Sequence, residues 1–125
     1  MLPGTEPDAY IAEVKRRLAD ESIRIEPLKK SSASKSPMDT DDFATIKSVH
    51  MAHYPNALTV ASLLFGASDS RFFRSKGIPC YGVCPMLVSL EEFNRVHGID
   101  ERVSAESMVE GTRVYTDMVK KLCRI

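Results

Sequence analysis

The run ALTVASLLF, from Ala57 to Phe65, constrains the fold more than any other stretch. It is apolar nearly throughout, includes the β-branched Thr59 and Val60, and does not alternate with polar residues. A half-exposed strand would alternate, so this run predicts a central strand covered on both faces. It is far too short to span a bilayer.

The neighbouring patterns supply helices around it. GTEPDAYIAEVKRRLADES reads as a helix, with Thr5 as N-cap, Asp8 three residues on and Pro7 in the first turn. Ile11, Val14 and Leu18 recur at helical spacing and predict a buried stripe. In SIRIEPL, Ile23 and Ile25 alternate with polar residues, which predicts a half-exposed strand. KKSSASKSP is polar and without periodicity, and reads as a linker and domain boundary. A second helix follows in MDTDDFATIKSVHMAHYPN, capped by Asp39 or Thr40, striped by Phe43, Ile46 and Val49, and ended by Pro55.

After the apolar run, GASDSRFFRSKG predicts a glycine-led loop entering a short helix, and IPCYGVCP a short strand. Residues 86–102 read as irregular, with a turn of helix at Leu90 to Arg95. The final helix starts at the Ser104 cap, carries Glu106 in its first turn, and has Lys120, Lys121 and Arg124 near its C-terminus. Met108, Tyr115, Met118 and Leu122 form its expected apolar face. The fold class is therefore expected to be α/β. Only one strand precedes the linker, and a lone helix and strand cannot bury both faces, so the first segment reads as half of a larger unit.

A chain of 125 residues suffices for one ordinary domain. Lys plus Arg and Asp plus Glu both number 17, and this balance argues against nucleic acid as a main partner. LPGTEPD has neither the positive n-region nor the apolar h-region of a secretory signal. An odd set of three cysteines suits reduced thiols, so a cytoplasmic setting without membrane contact is expected.

Four groups of residues carry candidate chemistry. His97 is followed by Asp100 and Glu101; an imidazole there is suited to zinc, with the acids orienting it, or to a plain surface or hydrogen-bonding role. His50 and His53 share a helix face with no third ligand nearby, and read as a solvated face. Cys80 and Cys84 fall on one side of the expected strand and read as buried, inert thiols, while Cys123 has no obvious partner. In GASDSRFF, a strand leading through Gly66 into a helix start suits an anion held on backbone N–H groups, with Arg71 adding a fork. The same residues also fit a plain turn, with Ser68 as cap and Asp69 favouring the helix dipole. No Walker loop is present, since no Gly-Lys-Ser/Thr follows.

GASDSRFFRSKGIPCYGVCP, HGIDERVSAESMVEGTRVYTDMVKKL and, upstream, LPGTEPDAYIAEVKRRL with its IRIE segment occur together in this order. In these the chain resembles the C-terminal part of the zinc carboxypeptidase and aminoacylase family, whose members include glutamate carboxypeptidase, succinyl-diaminopimelate desuccinylase and acetylornithine deacetylase. The resemblance implies a catalytic α/β domain interrupted by a smaller lid domain that often dimerises. Residues 1–36 would then be the last helix and strand of the lid, and residues 37–125 the C-terminal part of the catalytic domain. It implies that His97 ligates one of two zinc ions and that Asp100 and Glu101 orient or buffer it. Gly66, Ala67, Ser68, Asp69 and Arg71 would line the substrate pocket.

The departures are as informative. The family's His-x-Asp stretch, bridging aspartate, Glu-Glu pair and further acidic ligand have no counterpart here, and Glu91-Glu92 stands in the wrong place. At most one zinc ligand is retained, and no catalytic residue. We therefore expect a fragment of a metal-dependent hydrolase of peptide or N-acyl-amino-acid amide bonds, inactive alone, with exposed apolar faces on ALTVASLLF and the final helix. Its partners would be that substrate in the intact enzyme and an N-terminal half or a second copy. The rival readings are one half of a split enzyme and a non-catalytic interaction module.

Overall fold

The computed structural model describes residues 3–64 and 66–125. Met1 and Leu2, from the expected lid remnant, and Phe65, at the end of the expected central strand, lie outside the described residues. Among the described residues five helices follow one another: α1 (Pro7–Leu18), α2 (Asp41–His53), α3 (Ser70–Arg74), α4 (Leu90–Phe93) and α5 (Ala105–Cys123). They fall into two compact units. One holds residues 3–36 and 66–80, the other residues 37–64 and 81–125.

The expected α/β class is overturned. No strand is present among the described residues. The strands were expected in SIRIEPL (22–28), ALTVASLLF (57–65) and IPCYGVCP (78–85), and none of their described residues forms a strand. A strand leaves its N–H and C=O groups to be satisfied by a neighbouring strand, and none of the three segments meets a ladder partner among the described residues. Within 58–64, Leu58 and Leu64 are 86% and 75% exposed, the opposite of a doubly covered strand.

The third segment keeps a period of two in its burial even without a ladder. Tyr81 and Val83 are half-buried and Pro85 is buried, whereas Gly82 and Cys84 are exposed. Tyr81 and Val83 pack on the core of the second unit. Cys84 is therefore not a buried thiol, and Cys80 is only half-buried.

That core is the packing of α2 on α5, through Ile46, Val49, Val114 and Met118. Thr40 caps α2 by accepting the Phe43 N–H at 3.2 Å, with Asp41 and Asp42 in the first turn. Phe43 lies against the Tyr81 ring, with centroids 5.5 Å apart. Tyr81 Oη meets Thr40 Oγ1 at 2.6 Å and donates to the Pro37 carbonyl at 2.7 Å. Ser104 caps α5 by accepting the Ser107 N–H at 3.0 Å.

The face of α5 that packs shares only Met118 with the expected one. Ser107, Gly111, Val114 and Met118 are buried, while Met108, Tyr115 and Leu122 are exposed. Small residues turn the helix this way. A Cβ on Gly111 would stand 2.6 Å from Met86 Cγ and 3.2 Å from Met86 N, so the glycine admits the chain at Met86. The Ser107 hydroxyl donates to the Leu87 carbonyl beside it.

In the first unit, Pro7 opens α1 behind an N-cap at Glu6, not Thr5. Its expected buried stripe is not formed: Ile11 and Val14 are half-buried and Leu18 is exposed. Among the described residues, no helix of its own unit packs on α1. Glu13 pairs with Arg16 and Arg17, both at 2.7 Å, on the exposed surface. The serine-rich stretch before Pro37 is fastened by side chains. Ser36 Oγ accepts the Cys80 N–H at 2.8 Å and donates to the Cys80 carbonyl at 2.9 Å, as a ladder partner would. Arg74 donates to Ser34 Oγ at 2.9 Å and to the Cys80 carbonyl at 3.1 Å.

Candidate functional site

His97 stands in a turn built by its own neighbours. Ser89 caps α4 by accepting the Glu92 N–H at 3.2 Å. The chain then folds back through Val96 N–H to the Phe93 carbonyl and Gly98 N–H to the Arg95 carbonyl, at 3.2 and 2.7 Å. His97 and Asp100 both take left-handed backbone, at φ 62° and 59°. Such residues cost about 1–2 kcal/mol each unless the surroundings fix them. At His97 the fixing group is the Glu101 carboxylate, which accepts the His97 N–H at 2.9 Å. Gly98 is required by proximity, because a Cβ there would lie 2.9 Å from the Arg95 carbonyl oxygen.

Ion pairs brace the same turn. Arg95 donates to Glu91 at 2.8 Å, and Arg102 reaches back to Glu92 at 3.1 Å. Arg95 Nε and Glu92 Oε2 are buried, 3.9 Å apart and without hydrogen-bond partners. The imidazole of His97 is thus presented on an exposed residue whose main chain is held. Glu101 touches His97 through the main chain, and Asp100 makes no hydrogen bond to it among the described residues.

Gly66, Ala67, Ser68, Asp69 and Arg71 belong to the other unit. The first four are exposed and Arg71 is half-buried. Asp69, not Ser68, occupies the N-cap position of α3, and its side chain makes no cap bond. The Ser68 and Asp69 carbonyls accept the N–H groups of Arg71 and Phe72 at 3.3 and 2.9 Å. Those N–H groups are engaged in the turn itself. The Arg71 guanidinium lies over the Phe72 ring, 4.6 Å from its centroid, a cation–π arrangement.

The donor set does not fit a resident zinc. Among the described residues, no three His, Cys, Asp or Glu side chains come together in an arrangement that holds a metal ion. A zinc site takes about three protein ligands or more, and the His97 turn offers one imidazole. No catalytic step is assigned to a metal on this chain.

Sequence reasoning passed over His53. Read as part of a solvated helix face, it is instead clasped by α5: Nε2 lies 2.9 Å from Asp117 Oδ2 and Nδ1 lies 3.3 Å from Glu110 Oε1. Hydrogen bonds to Asp117 and then to Glu110 raise the His53 pKa above its usual range. The His53 and Arg113 bonds hold the Glu110 carboxyl below its own. One turn earlier, burial and then the charge on His53 push His50 down. The only hint in the sequence is the pairing of His50 and His53 with acids spaced two turns apart on another helix.

The family described as peptidase family M20/M25/M40 matches residues 4–121. The chain belongs to this family. The match takes in both the His97 turn and the loop that begins at Gly66. A curated relative of this chain is the probable carboxypeptidase S-like 2 of Dictyostelium discoideum, 21% identical over 122 residues. That alignment covers 96% of this chain and 24% of the relative, so the chain spans about a quarter of the relative's length. No solved structure matches. No helix among the described residues is long and apolar enough to cross a membrane.

Proposed function

We propose that this chain is the C-terminal part of a metal-dependent hydrolase of peptide or N-acyl-amino-acid amide bonds, and that alone it does not turn over. The family match across residues 4–121, a span that includes the HGIDE turn, supports this reading. In it, residues 1–36 are the lid remnant and residues 37–125 the catalytic-domain part, in a cytoplasmic protein. His97 is the metal ligand, with zinc as the ion. Glu101 secures its main chain, and Asp100 buffers the turn. Gly66, Ala67, Ser68, Asp69 and Arg71 line the substrate pocket. The remaining ligands and the general base come from polypeptide outside this chain.

The test is an amidase assay of the purified chain with added zinc, over dipeptides and N-acyl amino acids. No turnover above a zinc-only blank is expected. Turnover that disappears in His97→Ala would contradict the reading.

A second reading is favoured by the exposure of Leu58, Val60 and Leu64. Apolar surface of this kind suits contact with further polypeptide. In that reading the chain is one half of a split enzyme, and mixing it with a separately made N-terminal half restores turnover. Persistent inactivity of a stable mixed complex would contradict it.

A further inference from the structure

We propose that His53 is a protonation latch for the α2–α5 pair, clasping both Glu110 and Asp117 as an imidazolium and letting go of one of them when neutral. The geometry carries this. Glu110 and Asp117 lie two helical turns apart on α5, and the His53 ring spans them with one nitrogen on each, at 3.3 and 2.9 Å. An ionised carboxylate only accepts hydrogen bonds. A neutral imidazole has one N–H, so its second nitrogen would set a lone pair against a carboxylate oxygen. Only the imidazolium donates to both. His53 is also the last residue of α2, where the helix dipole favours a cation.

The charged surroundings point the same way. On α5, Arg113 donates to Glu110 at 3.2 Å, leaving that carboxylate shared between two cations. Glu106 and Arg113 line the shallow groove on one side of His53, and Arg113, Asp117 and Lys120 the groove on the other. Tyr54 follows in the chain, and its hydroxyl is committed to the Pro85 carbonyl at 3.0 Å. On α2 itself, His50 keeps its Nε2 buried without a partner among the described residues, a setting for a neutral ring. The two histidines therefore titrate apart, His53 upward and His50 downward.

The sign of the effect follows from linkage. Stability contributed by His53 is fully present below the ordinary histidine pKa and is lost as pH rises through its raised value. The Glu110 contribution is present above the ordinary carboxylate range and is lost as pH falls through its lowered value. His50, favoured neutral, loses its contribution as pH falls below the ordinary histidine range. The latch thus loosens the pair on the alkaline side, and His50 and Glu110 loosen it on the acid side.

The experiment uses the full chain. Ring nitrogens of the histidines are followed by NMR from about pH 5 to pH 9, and urea midpoints are measured over the same range. His53 is expected to titrate above the ordinary value of about 6.5, and Glu110→Gln or Asp117→Asn to shift it back down. The wild-type urea midpoint is expected to fall as pH rises above the ordinary histidine value of about 6.5, His53→Gln to flatten that fall, and His50→Gln to keep it. A wild-type His53 that titrates at or below the ordinary value overturns the latch, as does a fall that persists in His53→Gln. If the variants do not fold, the wild-type ring titration decides alone.

Discussion

Val114 on α5 is fully buried, whereas Leu58, in the most apolar run of the chain, is 86% exposed. Apolar content does not separate the two regions; backbone bonding does. A helix satisfies its own N–H and C=O groups, so α2 and α5 each need only one opposing stripe, and each supplies the other's. Residues 58–64 would need a ladder on their edges as well as cover on their faces. Among the described residues that ladder is missing, and their apolar side chains meet solvent.

The contrast breaks most sharply at the centre of the helix pair. Val114→Asp sets an unpaired carboxylate in the core and should cost about 3–5 kcal/mol, enough to abolish cooperative unfolding followed by circular dichroism. Gly111→Ala should cost about 1–3 kcal/mol by overpacking, because the added methyl meets Met86 backbone as well as its side chain. A shift of the Met86 methyl resonance would report the same displacement. Removing the α2 cap with Thr40→Ala should cost about 1 kcal/mol, read as a lower urea midpoint with unchanged slope. Smallest of all, Leu58→Ser and Leu64→Ser should stay within about 0.5 kcal/mol of the wild type and reduce self-association in sedimentation. A loss of 2 kcal/mol or more at Leu58 would show that the run is packed after all.

These expectations also mark what could be read from the sequence. Ser104 was legible as a cap, and Thr40 as one of two candidates with Asp39, because a cap needs only a side-chain oxygen and the N–H groups of the next turn. Ile46 and Val49 were legible because their spacing matches a helix that finds a partner. The turn at His97 was legible as a motif, and its left-handed backbone and close approach at Gly98 are local consequences of it. Strands were not, because a strand is a property of two segments, and the pattern of one says nothing of the other. The α5 face was misread for a related reason. Ser107 and Gly111 are buried by what Met86 and Leu87 bring to them, and a hydrophobic stripe weighs only the large residues. The clasp on His53 joins residues 57 and 64 positions away, beyond any local pattern.

The most direct test of this contrast is amide hydrogen exchange on the full chain, resolved by segment. Slow exchange is predicted within α2 and α5, and exchange near the unprotected rate across residues 58–64. Protection across 58–64 equal to that of the helix pair would contradict the account, since those amides would then be held in a bonded and covered segment.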